Sequence, residues 1–389
     1  MKITHLTENN LFDPDANSGT PYWISKALSQ QDITVENLHV VFPMQLLPPL
    51  EEFIFRCKQR WHKFYDNAHR APDLLTRRAE YIASTLKKPL ENLQTDVILS
   101  SLSPLATAFV ETKTPIVYWT DALYAGLVSF YPEFRFHHPD TMWDGHAVTQ
   151  ACLRNAKLLL FSSQWAARTA FECYGISQDK IRVAPFGANV EVSHSIAEMK
   201  DQINARATDR IKFLFVGKNW YRKGGDIVLK VLQALHAAGQ AVELTIVGCT
   251  LDKKSLPPYV KCVGMLSKKN QQDLDKLKKC YQEAHFLFVP SRAEAYGIVF
   301  CEANAFAVPC LTTHVGGIPE IVKDGVNGMT FSLEATVQQY GDYIMNLMSD
   351  RTKYEALALS AFNEYQTRLN WQVASRHAKQ LILDAGLTS

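Results

Sequence analysis

No apolar run in this chain approaches the ~18 residues that a membrane-spanning helix needs, and the opening MKITHLTENN has no apolar core of the kind a signal peptide carries. The expectation is a protein that stays on the cytoplasmic side of a membrane. The chain also lacks any Cys-x-x-Cys: its eight cysteines, Cys57, Cys152, Cys173, Cys249, Cys262, Cys280, Cys301 and Cys310, sit mostly inside apolar or helical runs. They read as reduced core thiols rather than zinc ligands or a dithiol. No G-x-G-x-x-G follows the first strand, which argues against a dinucleotide-dependent oxidoreductase. An excess of either charge is missing as well. With 41 basic and 39 acidic residues the formal net charge is +2, so no global attraction to nucleic acid is implied, and any electrostatic partner must be local.

What is present is ordinary globular composition, 47% hydrophobic and 21% charged, in 389 residues, a length comfortable for two α/β domains. The chain is organised around FVPSRAEAYGIVFCEANAFAVPCLTTHVGGIPEIV, from Phe288 to Val322. An apolar strand ends near Pro290, a polar turn covers Ser291 to Glu294, and a helix is predicted from Gly297 through Ala307. The turn therefore lies at the carboxyl end of a strand, where ligands bind in open α/β sheets. The helix after it offers unpaired N–H groups and the positive end of its dipole, an arrangement suited to phosphate. Glu294 lies in the turn and Glu302 about a turn and a half into the helix, so the two carboxylates can face one ligand from different depths.

Glu294-Ala295-Tyr296-Gly297-Ile298-Val299 through Glu302, followed by Pro309 and by Val315-Gly316-Gly317-Ile318-Pro319-Glu320, resembles the nucleotide-sugar half of retaining GT-B glycosyltransferases, more narrowly glycosyltransferase family 4 (glycosyl transferases group 1). The resemblance is specific over residues 160–332. It implies that Glu302 holds the ribose hydroxyls of a nucleoside-diphosphate sugar, that Glu294 lies beside the transferred sugar, and that the N–H groups of Ile298 and Val299 after Gly297 meet the diphosphate. The loop GKNWYRKGG, after a strand at Ile211 to Val216, places Lys218, Arg222 and Lys223 at a strand's carboxyl edge. The resembled enzymes commonly hold the diphosphate there with an Arg and a Lys. Here the first position is Lys218, which lacks the bidentate fork, so that contact is weaker or falls to Arg222. By the same resemblance Met265 lies near the nucleotide base; a core methionine at a strand end is the competing reading.

Elsewhere the residues say less. Asp13, Asp15 and Asn17 alternate like calcium ligands, but the glycine falls one place late and Ile24 stands where the last acid belongs, so no metal site is expected. Gly19 either lets the first loop approach a ligand, as the corresponding loop does in similar enzymes, or simply precedes a helix. Residues 51–90 carry nine Lys or Arg against five acids, an excess of four. As a helix, the segment 53–64 would align Phe53, Cys57, Trp61 and Phe64 with Arg56, Arg60 and Lys63 beside them. Such a helix either lies peripherally on an anionic inner-membrane surface or buries its stripe in the core. A strand at Pro115 to Tyr118 delivers Thr120-Asp121. The resembled family often has His-Asp there, which leaves Asp121 as the acid-base group carried over, with acceptor binding as its other role. Residues 131–146, rich in aromatics without clear periodicity, are read as a loop on the acceptor side.

Pro185-Phe186-Gly187 resembles the family's hinge, and Asn370 caps a last helix. The implied architecture is two Rossmann-like domains facing a cleft (GT-B): residues 1–188 on the acceptor side, 189–369 binding the nucleotide sugar, and 370–389 as a terminal helix crossing back to the first domain. The implied reaction is transfer of a sugar from a nucleoside-diphosphate sugar to a saccharide, lipid-linked or small-molecule hydroxyl with retention, without metal or other cofactor. Glu294, Lys223 and Asp121 are the catalytic candidates. Thr120 and Lys218 motivate the alternative, a non-catalytic nucleotide-sugar-binding protein of the same fold.

Overall fold

The structure, a computed structural model, describes residues 1–8, 10–40, 57, 74–132, 134, 138–252 and 256–388. The basic segment 53–64 and the membrane contact expected of it lie, Cys57 apart, outside the described residues. The chain divides into two compact units, Met1–Ala184 with Ser375–Ser389, and Pro185–Ala374.

In the first unit β1 (Lys2–Thr7), β2 (Thr34–His39), β3 (Val97–Ser101), β4 (Ile116–Thr120), β5 (Leu158–Phe161) and β6 (Ile181–Val183) form one sheet in the order β2-β1-β3-β4-β5-β6, every neighbouring pair parallel. The runs VILSS, IVYWT and LLLF are buried throughout, as parallel strands covered on both faces must be. The helices Leu75–Glu91 and Pro139–Asn155 pack together over this core. Strand order reverses between β1 and β3, so the loop that leaves β1 and reaches Gly19 emerges at this sheet's switch point.

The expected loop over 131–146 is a correction. A helix covers Tyr124–Phe130 and a second begins at Pro139. The preset φ of Pro139 suits a first helical turn, and the His138 ring accepts the Asp140 N–H at 3.2 Å. Aromatic side chains concealed the helical period because several pack locally: the Tyr124 ring meets Phe134 and His146 edge-on at 5.9 and 5.2 Å.

The second unit repeats the plan with β7 (Ile211–Val216), β8 (Val242–Val247), β9 (Val260–Gly264), β10 (Phe286–Val289), β11 (Cys310–Thr313) and β12 (Gly328–Phe331), in the order β12-β11-β10-β7-β8-β9 and again parallel. Side-chain caps set its helix boundaries. The Asn270 side chain, accepting the Asp273 N–H, starts Gln271–Glu283, and a Thr336–Gln339 capping box starts Val337–Met348. Pro185-Phe186-Gly187 belongs to this unit: Phe186 lies against the rings of Tyr296 and Trp371 at 5.4 and 5.6 Å, and its carbonyl accepts the Tyr296 hydroxyl at 2.7 Å. The last helix, Trp371–Asp384, has the Asn370 side chain accepting the Val373 N–H at 2.9 Å. Its residues through Ala374 group with the second unit and those from Ser375 with the first, where Lys379 donates to the Gln31 carbonyl at 2.6 Å. All eight cysteines are free.

Each unit also buries a histidine in neutral form. His5 lies between the hydroxyls of Ser25 and Ser101 at 2.5 and 2.7 Å, and burial lowers its pKa to about 3. Burial, with Arg206 nearby, lowers that of His285 to about 4. Below an unfolded value near 6.5 the unfolded chain binds protons that the folded chain refuses, so stability falls as pH drops from about 6.5 toward 4. Urea unfolding at pH 7 and pH 4.5 is expected to show a loss on the order of a few kcal/mol. A flat profile across that window would refute the neutral assignment.

Candidate functional site

In the second unit the strand order runs outward both ways from β7 and β10, so the loops at the carboxyl ends of these two strands flank the switch point. They are the loops of residues 217–224 and 290–297, and they are closely laced. The Arg292 N–H donates to the Arg222 carbonyl at 2.7 Å, and the Arg222 guanidinium donates to the Ala293 carbonyl at 2.6 Å. Arg292 forks onto Asp226 at 2.7 and 2.8 Å and lies over the Tyr221 ring at 4.0 Å. Gly224 has φ +74°, and a Cβ there would stand 2.1 Å from the Pro290 carbonyl oxygen, so the close approach of the loops requires glycine.

Across this seam the Lys223 ammonium pairs with the Glu294 carboxylate, both residues being buried. The Arg222 guanidinium stands 3.7 Å from the same Glu294 oxygen. Two cations therefore converge on one carboxylate, and the excess is positive. A third loop fixes Glu294 from behind: the Gly317 N–H donates to its carbonyl at 3.2 Å. Gly297, at φ +95°, then turns the chain into the helix Ile298–Ala305; a Cβ there would lie 2.6 Å from the Phe300 ring. As the first helical N–H groups, those of Ile298 and Val299 have no intrahelical acceptor.

Glu302 points its carboxylate into a deeper place, only 2% exposed. One oxygen accepts the Tyr281 hydroxyl at 2.9 Å and the other pairs with the Lys268 ammonium. The Tyr281 ring stacks on Phe306 at 5.4 Å. Burial, reinforced by the Glu302 charge, holds the Tyr281 hydroxyl well above its ordinary pKa, so it stays a donor.

Of the residues singled out in the sequence, Arg222, Lys223, Glu294, Gly297, Ile298, Val299 and Glu302 lie on adjoining loops and one helix of this unit. Lys218 is exposed after β7, and Met265 is exposed after β9. Gly19 and Asp121 belong to the first unit. There Gly19, at φ +84°, ends the turn before Thr20–Ser29, and Asp121 follows β4. Two partners of Glu302 escaped the sequence reading. Tyr281 is buried with Leu277 on one helix, and helical spacing carries burial but not its hydroxyl's target. Lys268 could have been found as a cation just past a strand's carboxyl end, the signal that exposed Lys223.

Residues 197–363 match the family model described as Glycosyl transferases group 1. A D-inositol 3-phosphate glycosyltransferase of Corynebacterium aurimucosum is 25% identical over 255 residues, 61% of this chain and 59% of that protein. Its namesake in Nocardia farcinica is 27% identical over 210 residues, 50% and 46% of the two chains. The chain thus spans about half the length of these curated relatives. Over whole chains, the structure is similar to sucrose-phosphate synthase of Thermosynechococcus elongatus, with TM-score 0.65, 18% identity and coverage of 99% and 98%. It is likewise similar to Anabaena Alr3699/HepE in complex with UDP and glucose, with TM-score 0.63, 18% identity and coverage of 99% and 100%. Two parallel six-stranded sheets with flanking helices are the GT-B fold of these neighbours. The family model thus covers a stretch of the second unit, and the likeness to solved structures extends the shared fold to the whole chain.

Proposed function

We propose that this chain is a retaining glycosyltransferase, moving a sugar from a nucleoside-diphosphate sugar to the hydroxyl of a saccharide, lipid-linked or small-molecule acceptor. The observation that carries the reading is the convergence of Lys223 and Arg222 on Glu294 at the switch point, beside the start of the helix Ile298–Ala305. The similarity to a protein solved with UDP and glucose, and with UDP-glucose, favours a nucleotide sugar as donor.

The bond from the anomeric carbon to the diphosphate breaks while a bond to the acceptor oxygen forms. Positive charge grows on the sugar ring and negative charge on the leaving diphosphate. Lys223, Arg222, Lys218 and the N–H groups of Ile298 and Val299 stabilise that negative charge, so no divalent metal is needed in this reading. Glu294 serves the sugar, as nucleophile or as orienting group, once the diphosphate competes for Lys223. Glu302 takes the ribose hydroxyls and Met265 lies by the base, while Gly19 serves the donor and Asp121 the acceptor from the first unit.

A panel of UDP-, GDP- and ADP-sugars tests the reading. Hydrolysis or transfer with one of them is expected; tight binding of a donor without turnover would instead favour the non-catalytic binding protein, for which Thr120 and the exposed Lys218 speak. Among the described residues no helix is long and apolar enough to cross a membrane, so membrane contact would rest on the segment 53–64. Co-sedimentation with anionic liposomes is expected to fall with rising salt, since each cation near the surface adds about 1 kcal/mol. Equal, negligible binding to anionic and neutral liposomes would discard that contact.

A further inference from the structure

Tyr281 and Lys268 stand outside the machinery assigned so far, yet each touches the buried carboxylate of Glu302. A carboxylate offers about four lone-pair positions. Among the described residues two are filled, one on each oxygen, by the Tyr281 hydroxyl at 2.9 Å and by the Lys268 ammonium. Two remain, again one on each oxygen. That count matches a vicinal diol, whose two hydroxyls can each donate to a separate oxygen of one carboxylate.

A carboxylate fixed at one oxygen can rotate about its terminal bond, a broad torsion; fixed at both, it cannot. The two donors differ in firmness. Tyr281 is fully buried, its ring stacked on Phe306 at 5.4 Å with the planes 1° apart. Lys268 approaches from a loop with its side chain 17% exposed, and its ammonium pairs with the Glu302 carboxylate, whose residue is 2% exposed. We infer that Tyr281 and Lys268 are positioning residues that clamp Glu302 so that its free lone pairs accept a ribose cis-diol, and that they thereby set the preference for ribonucleotide over 2′-deoxyribonucleotide donors. The inference rests on the proposed role of Glu302 at the donor ribose.

Breaking the clamp frees the carboxylate to turn. A diol that must meet both oxygens at once then suffers, whereas a 2′-deoxy sugar, with one hydroxyl to place, suffers less. The signature is a fall in the ratio of affinities, not merely in affinity. Calorimetry with UDP, GDP and ADP, each beside its 2′-deoxy counterpart, reads that ratio in the wild type, Tyr281→Phe, Lys268→Met and Lys268→Arg. Tyr281→Phe keeps the stacked ring, and thermal unfolding of every variant reports folding separately.

The expected result is a wild type that prefers one ribonucleotide over its deoxy form. Tyr281→Phe and Lys268→Met should weaken ribonucleotide binding about tenfold, the size of one charge-assisted hydrogen bond, and deoxynucleotide binding much less. Lys268→Arg, which keeps a donor and a charge, should recover most of the ratio. If both nucleotides weaken equally in Tyr281→Phe and Lys268→Met, or if neither does, the clamp is overturned while the donor-site reading stands. If the wild type binds none of the six, the donor-site reading falls and the clamp with it.

Discussion

Lys223→Ala is expected to lower turnover on saturating donor by about a hundredfold or more, because removing one preorganised donor from a developing negative charge costs about 2.7 to 4 kcal/mol. The loss should appear in kcat rather than in donor affinity. The diphosphate gains negative charge only as the glycosidic bond breaks, so a buried ammonium aimed at it is worth more in the transition state than in the bound ground state. Before donor arrives, that ammonium is satisfied by Glu294. Its removal leaves Glu294 facing Arg222 alone, at 3.7 Å from the nearer oxygen. A buried carboxylate so exposed to one remaining cation is tolerable, and thermal unfolding should show a folded protein. Steady-state kinetics on the donor found by the sugar panel measures the effect. Near-normal turnover in a folded Lys223→Ala protein would sink the assignment.

The same lysine shows how much of the site the sequence carries. Glycines mark where two loops meet, and the stretch between a strand and a helix is short enough that its residues must lie at the sheet's carboxyl edge. GKNWYRKGG and PSRAEAYG were therefore legible as two loops at the carboxyl edge of the sheet. What could not be read was which cation faces which carboxylate, since that depends on the strand order β11-β10-β7-β8, which puts these two loops side by side. Arg222 illustrates the gap. One terminal N–H group of its guanidinium, at Nη1, donates to the Ala293 carbonyl, so it braces the seam as well as charging it.

Fold class was legible for a different reason. Parallel strands buried on both faces leave near-continuous apolar runs, and β3, β4, β5, β7 and β10 all read that way. Where local packing supplied the order instead of periodicity, the reading failed, as at the helix Pro139–Asn155. A polar cap inside a longer polar run hides a helix start, as with Asn270 after Ser267-Lys268-Lys269. Tyr281 is the instructive case, because its chemistry is invisible in the sequence. A tyrosine on an apolar stripe announces burial, but its hydroxyl must then find a partner, and that partner, Glu302, lies on another helix.

Glu302→Ala should act on the other kinetic parameter. A ribose contact is made equally in the ground and transition states, so its loss weakens donor binding and raises KM while leaving kcat little changed. Two hydrogen bonds from the ribose to a carboxylate, each worth about 1.5 to 3 kcal/mol, place the loss in affinity for the nucleoside diphosphate near a hundredfold or beyond. The substitution has a structural cost that must be separated from this. It strands the buried Tyr281 hydroxyl, costing about 1 to 3 kcal/mol of stability, whereas Lys268, partly exposed, can turn to water. Calorimetric titration of Glu302→Ala with UDP, GDP and ADP, at a temperature where its unfolding curve shows it native, isolates the binding term. Unchanged affinity there would remove Glu302 from the ribose, while lost affinity with kcat preserved would set it apart from Lys223, whose removal is expected to do the reverse.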